Sequence, residues 1–138
     1  MFKRVYKYIS LCAVILLFSI PMIIMRPRSL YSQFFASETI QSADIVLNQI
    51  KQMNNVHLSE KETVSLINEL QNITITYYGF YKNIEFENNF PIFMLLFQSE
   101  DEKSITIIVS ENFIYHDRVR YRIIGNNDFI EKLNAYFL

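Results

Sequence analysis

Residues 8–25 read YISLCAVILLFSIPMIIM, eighteen consecutive positions without a charge. As an α-helix rising ~1.5 Å per residue, this run covers roughly 27 Å, close to the ~30 Å hydrocarbon core of a bilayer. A helix buried in a water-soluble core seldom runs so far without a polar face. The stretch therefore reads as a lipid-embedded span, and the rest of the chain as one folded domain attached to it.

The flanks of the run indicate an anchor that stays in place. A cleaved signal peptide needs small residues at the −3 and −1 positions. Here Arg26-Pro27-Arg28 follows the apolar core, and the first small candidate, Ala36, has Phe34 two residues before it. Cys12 lies near the start of the run and follows Leu11, which does not suit a lipoprotein signal. Pro21 is expected to kink the second half of the helix, a distortion tolerated in lipid where the freed carbonyl finds another donor. Lys3, Arg4 and Lys7 precede the run, whereas Arg26 and Arg28 follow it. The positive-inside rule then places the N-terminus in the cytoplasm and the remainder outside a plasma membrane crossed once. The expected division is residues 1–28 as cytoplasmic tail and anchor, 29–38 as a neck, and 39–138 as an extracytoplasmic domain. In the neck, Leu30, Tyr31, Phe34 and Phe35 are expected either to line the membrane interface or to continue the helix.

Charge is distributed unevenly. Five of the thirteen basic residues fall within residues 1–28, where there is no acid. The other eight share residues 29–138 with all fourteen acids, a balance of −6. Nucleic-acid binding needs a positive face, so an acidic domain argues against that partner. It also argues against an anionic lipid surface, except at the arginine-flanked neck. The only cysteine lies in the apolar run, so the domain is expected to rely on packing rather than disulfides.

Along the domain, residues 39–51 (TIQSADIVLNQIK) read as a strand. Ser59 and Glu62 have the spacing of a capping box, and Val64, Leu66, Ile67 and Leu70 supply an apolar stripe for a helix that Asn72 ends. A helix of about twelve residues is marginal alone, so the stripe needs a sheet to cover it. Residues 73–81 (ITITYYGFY) form a strand bent or bulged at Gly79. Residues 90–98 (FPIFMLLFQ) suit a central strand, with Pro91 at its start. The charged link SEDEKS leads to a partner strand over 104–110, and Glu111-Asn112 turns into residues 113–116. Residues 119–123 alternate, with Val119, Tyr121 and Ile123 on one face and Arg118, Arg120 and Arg122 on the other. An asparagine after Gly125 caps a last helix that buries Phe129, Ile130, Leu133 and Phe137. The expected fold is α+β: an N-terminal transmembrane helix, then an antiparallel sheet with helices on one face, in the order β-α-β-β-β-β-α.

The segments SEKETVSLINEL, PIFMLLF, SITIIVSENFIY and YRIIGNNDFIEKL occur in that order. Over residues 40–138 this succession resembles the small extracytoplasmic domains of uncharacterised membrane-anchored proteins and lipoproteins of Gram-positive bacteria. The resemblance implies a fold and an address, and no activity.

Catalytic and metal-binding patterns are absent from the sequence. His57 and His116 lie on separate elements without a third ligand in view, so turn positions in solvent are expected for both. With glycine only at positions 79 and 125, no nucleophile elbow, phosphate loop or dinucleotide fingerprint can form. Glu85 and Glu87 could face one cleft, but nothing suggests the burial that acid catalysis requires. Glu100, Asp101 and Glu102 read as a solvated hairpin tip. Two groups suit binding instead. Arg118, Arg120 and Arg122 form a ladder fit for carboxylates or phosphates. Tyr77, Tyr78, Phe80 and Tyr81 form an aromatic group fit for a protein interface or a sugar. The expectation is a non-enzymatic accessory module without metal or cofactor, which holds the bilayer through residues 8–25 and presents a sheet face or edge to a protein partner. An immunity-type protein against a secreted toxin is the alternative, and a small hydrolase stands well behind both.

Overall fold

The computed structural model describes residues 2–35, 37–49, 52–82, 91–125 and 128–138. All of the apolar run except Met25 lies within α1 (Phe2–Ile24), which continues through Pro21. It is the one helix among the described residues long and apolar enough to cross a membrane, and no part of that stretch is buried against the chain. Ser19 returns its hydroxyl to the Ile15 carbonyl at 2.6 Å, so this polar group is satisfied within the helix.

Chain order then runs through β1 (Arg28–Ser29), α2 (Leu30–Phe34), β2 (Ile40–Gln49), β3 (Gln52–His57) and α3 (Glu60–Asn72). It continues through β4 (Thr74–Phe80), β5 (Ile92–Ser99), β6 (Ser104–Val109), β7 (Phe113–His116), β8 (Val119–Ile124) and α4 (Phe129–Ala135). Among the described residues the class is α+β, with four helices and an eight-stranded antiparallel sheet ordered β1-β4-β8-β7-β6-β5-β2-β3.

Register assigns the two faces of the sheet. Ala43, Ile45 and Leu47 of β2 stand opposite Phe97, Leu95 and Phe93 of β5, and these in turn opposite Ile105, Ile107 and Val109 of β6. All but the half-buried Ile105 are buried, together with Ile114 and Ile75 further along the same face. They form one core with Leu30 and Phe35 beside β1, Leu66 and Leu70 of α3, and Phe129 and Leu133 of α4. Burying each such side chain contributes about 1.5–3 kcal/mol, and a sheet covered on one side by helices gathers those contributions in a single layer.

Several expectations need correction. The order β-α-β-β-β-β-α omits β1, α2 and β3 and runs β7 and β8 together. Residues 113–116 and 119–124 are separate strands joined at Asp117-Arg118. Residues 39–51 do not make one strand: β2 ends at Gln49 and β3 returns beside it. QMNNVH hides this because an outermost strand has a single neighbour and needs little apolar content. The neck is part of the fold. Leu30 and Phe35 are core residues, fixed by β1 pairing with β4 and by a hydrogen bond from the Leu30 amide to the Ile73 carbonyl.

The capping box forms as expected. Ser59 Oγ accepts from the Glu62 amide, and the Glu62 carboxylate accepts from the Ser59 amide at 2.8 Å. This helix buries Thr63, Leu66 and Leu70, however, while Val64 is 54% exposed. The stripe therefore runs about one position away from where the valine suggested. The asparagine expected to cap α4 lies outside the described residues, and Asp128 stands at the cap without a side-chain capping hydrogen bond.

Candidate partner-binding site

The aromatic group and the arginines come together on β4 and β8, next to the attachment of α1. Gly79, at φ +135°, interrupts the β4–β8 register between Tyr77 and Gly79. That bulge divides the rings between the two faces. Tyr77 and Phe80 share the core-side face, 6.1 Å apart, with Phe80 77% exposed beyond the helices. On the other face Tyr78 lies 5.2 Å from Phe113, and Tyr81 packs edge-on against Tyr115 at 4.9 Å. Burial there raises the Tyr81 phenol above its ordinary range, with the neighbouring Tyr115 adding to the shift.

The arginine ladder is shorter than the alternation implies. Arg120 and Arg122 share the outer face, opposite Tyr115 and Phe113. Arg118 sits in the turn outside the strand, with Asp117 at φ 46° and Arg118 at φ 66°. Both values are those of a two-residue hairpin turn that favours Asp-Gly or Asn-Gly. Arg120 is held against the sheet, its guanidinium 4.6 Å from the centre of Tyr78 and 5.1 Å from that of Phe113. Stacking of this kind is worth about 0.5–2 kcal/mol. Its Nε is buried without a hydrogen-bond partner. Arg122 is exposed.

This side of the sheet is joined firmly to α1. Thr76 Oγ1 donates to the Met25 carbonyl at 2.6 Å. Arg28 reaches the Ile23 carbonyl at 3.5 Å and Gln33 Oε1 at 3.2 Å, placing a cation at the negative end of the helix dipole. Tyr121 lies beside them, its phenol raised chiefly by burial and partly offset by a hydrogen bond with Gln33.

The opposite side ends in β3, which has no neighbour beyond it among the described residues. The Leu58 amide donates to the Ala43 carbonyl. By antiparallel alternation Gln52, Asn54 and Val56 therefore face β2, and Met53, Asn55 and His57 turn their N–H and C=O outward. Met53 is 71% exposed. No lysine, arginine, acid, proline or bulge interrupts β3, although natural edges are commonly blocked by such devices. This edge was not among the residues singled out from the sequence. The signal that could have revealed it is a six-residue stretch without lysine, arginine, acid, proline or glycine just before a capping box.

Other groups offer little chemistry. His116 has both ring nitrogens engaged, Nδ1 with the Thr106 carbonyl at 2.8 Å and Nε2 with Asp117 at 3.1 Å. His57 Nδ1 lies 2.6 Å from Asp44. No group of three metal-ligating side chains converges among the described residues. Glu85 and Glu87 lie outside the described residues, and Glu100, Asp101 and Glu102 are exposed at the β5–β6 turn. An open groove of about 490 Å³ between α3 and α4 is lined in part by Glu62, Glu69, Lys132 and Tyr136. Its charges are already satisfied: Glu62 belongs to the capping box, and Lys132 bonds Glu69 at 2.7 Å and Asp128 at 3.3 Å. The Glu69 bond is the main cause that raises the Lys132 ammonium above its ordinary range.

No protein-family model matches the chain, and no curated protein or solved structure matches it either.

Proposed function

We propose that α1 holds the protein in a plasma membrane as a single span, N-terminus cytoplasmic, and that the sheet outside presents its β3 edge to a protein partner, which adds a strand to it. The protein acts as an accessory module and catalyses no reaction. The observation that carries this reading is the pairing of a fastened edge with an open one. Beside α1 the sheet is closed by β1 and by the Thr76–Met25 bond. Seven strand spacings away, about 34 Å at ~4.8 Å per step, β3 offers unpaired backbone groups and carries no lysine, arginine or acid. Strand addition draws affinity from such main-chain bonds and specificity from alternate side chains, here Met53, Asn55 and His57.

The test uses proline as a selective block. Asn55→Pro removes an outward N–H and leaves the β2–β3 ladder intact, a position where an edge tolerates proline. A photo-crosslinking residue at position 53 of the full-length chain in native membranes is expected to capture a discrete protein, and Asn55→Pro to abolish that adduct without altering the fold. An adduct that survives Asn55→Pro would rule out strand addition at β3.

A further inference from the structure

We propose that the end of β4 and the β7–β8 turn form a bilayer seat, where exposed aromatic rings enter the interfacial layer and basic side chains meet anionic phospholipid headgroups. The inference rests on the reading of α1 as a membrane span. Direction follows from topology. The chain leaves α1 after Ile24 and runs through Met25 into β1, so β1 leads away from the bilayer. β4 is antiparallel to β1 and runs back toward it. Thr76 is level with the end of the span, 2.6 Å from the Met25 carbonyl. Phe80 lies four residues further, about 13 Å along the strand at ~3.3 Å per residue. The polar layer on each side of a bilayer is only about 5–7 Å thick. A β4 that lies close to the bilayer plane holds Phe80 within that layer rather than carrying it into hydrocarbon.

The chemistry at this end suits the location. Phe80 is the most exposed aromatic of β4, and Tyr78, on the other face of the strand, is half exposed. Interfaces between lipid and water favour such rings. The Tyr81 amide donates to the Arg118 carbonyl at 3.0 Å, which fixes the turn against the strand end. Lys82 and Arg118 are exposed there, with Arg120 stacked over Tyr78. Among the described residues the acid at this turn is Asp117, whose carboxylate lies 3.1 Å from His116 Nε2. Arg26 and Arg28 lie near the same strand, and the acids Glu100, Asp101 and Glu102 sit at the β5–β6 turn, several strands across the same end of the sheet, so the positive surface is the β4–β8 corner beside α1. Arg118 occupies a left-handed backbone position that glycine fills more readily, and strain of this kind gathers at functional positions.

The chain contains no tryptophan, so Phe80→Trp installs a single fluorophore at an open site. The full-length variant is reconstituted in phosphatidylcholine vesicles with and without phosphatidylglycerol, and quenching by brominated acyl chains is read. Phe18→Trp within α1 and Met53→Trp on the far edge serve as references. Phe80→Trp and Phe18→Trp are expected to lose most of their emission while Met53→Trp keeps its own. Lys82→Glu with Arg118→Glu is expected to restore emission at position 80 in phosphatidylglycerol vesicles. Full emission from Phe80→Trp beside a quenched Phe18→Trp overturns the seat and leaves the span standing. Full emission from both overturns the span, and the seat with it. Quenching at position 80 that ignores lipid charge and the double reversal overturns the assignment of the basic residues to headgroups.

Discussion

Phe35→Ala asks whether the segment after α1 is a flexible tether or part of the fold. Phe35 is 1% exposed and sits between Phe97, at 4.8 Å between ring centres, and Tyr31, at 5.6 Å. Truncating a buried phenylalanine removes its transfer free energy and leaves a cavity, together about 3–5 kcal/mol. Because the ring closes the end of one continuous core, little around it can collapse to refill the space. For a domain of this size the loss corresponds to a fall in melting temperature of roughly 15–25 °C. It is also a large share of the ~5–15 kcal/mol that typically separates folded from unfolded states. Urea and thermal unfolding of the full chain in detergent, followed by near-ultraviolet circular dichroism of its tyrosines, reads the change directly. Phe80→Ala provides the comparison, since an exposed side chain away from special features shifts stability by only about 0.5 kcal/mol. If Phe35→Ala costs no more than Phe80→Ala, residues 30–35 do not belong to the core and the rigid join between α1 and the sheet is wrong.

Three further outcomes are expected. Arg118→Gly should stabilise the domain by about 0.5–1 kcal/mol, as relief of the left-handed backbone exceeds the entropy that glycine adds to the unfolded chain; a loss in urea unfolding would contradict the turn geometry. Asn54→Pro, which removes an inward N–H, should unfold the β2–β3 hairpin as seen by hydrogen exchange, whereas Asn55→Pro should leave it protected. Hydrogen bonds from the Ser59 side chain and amide hold the Glu62 carboxyl below the ordinary glutamate range. A lowered carboxyl contributes stability that is present above its unfolded pKa of about 4.3 and is lost as pH falls through the lower folded value. Amide protection at the start of α3 should therefore fade at acid pH, and Glu62→Gln should flatten that dependence.

What could be read from the sequence divides along a physical line. Features written in local chemistry were legible: the uncharged run of α1, the Ser59–Glu62 box, the bend at Gly79 and the alternation of residues 119–123. Each depends on neighbours within a few positions. Features that depend on distant pairing were not. QMNNVH becomes a strand because β2 supplies its hydrogen bonds, not because its side chains favour one. LYSQFF reads equally well as an interfacial stretch until β4 pairs with Arg28-Ser29 and draws Leu30 and Phe35 into the core. Val64 looked buried from spacing alone, yet the sheet approaches α3 along Thr63, Leu66 and Leu70. The binding residues follow the same division. The aromatic group and the arginines were visible as clusters, but the bulge that sends Tyr77 and Phe80 to one face and Tyr78 and Tyr81 to the other is a matter of register. So is the turn that removes Arg118 from the strand.

Cys12 is the only cysteine and lies within α1, which makes it a native reporter for the membrane span on which the functional reading depends. In membranes washed with carbonate, a water-soluble maleimide should leave Cys12 unlabelled until the bilayer is dissolved in a denaturing detergent, because a thiol reacts as the thiolate and needs water to form it. Rapid labelling in the intact washed membranes, or release of the chain by the wash itself, would contradict a span through lipid.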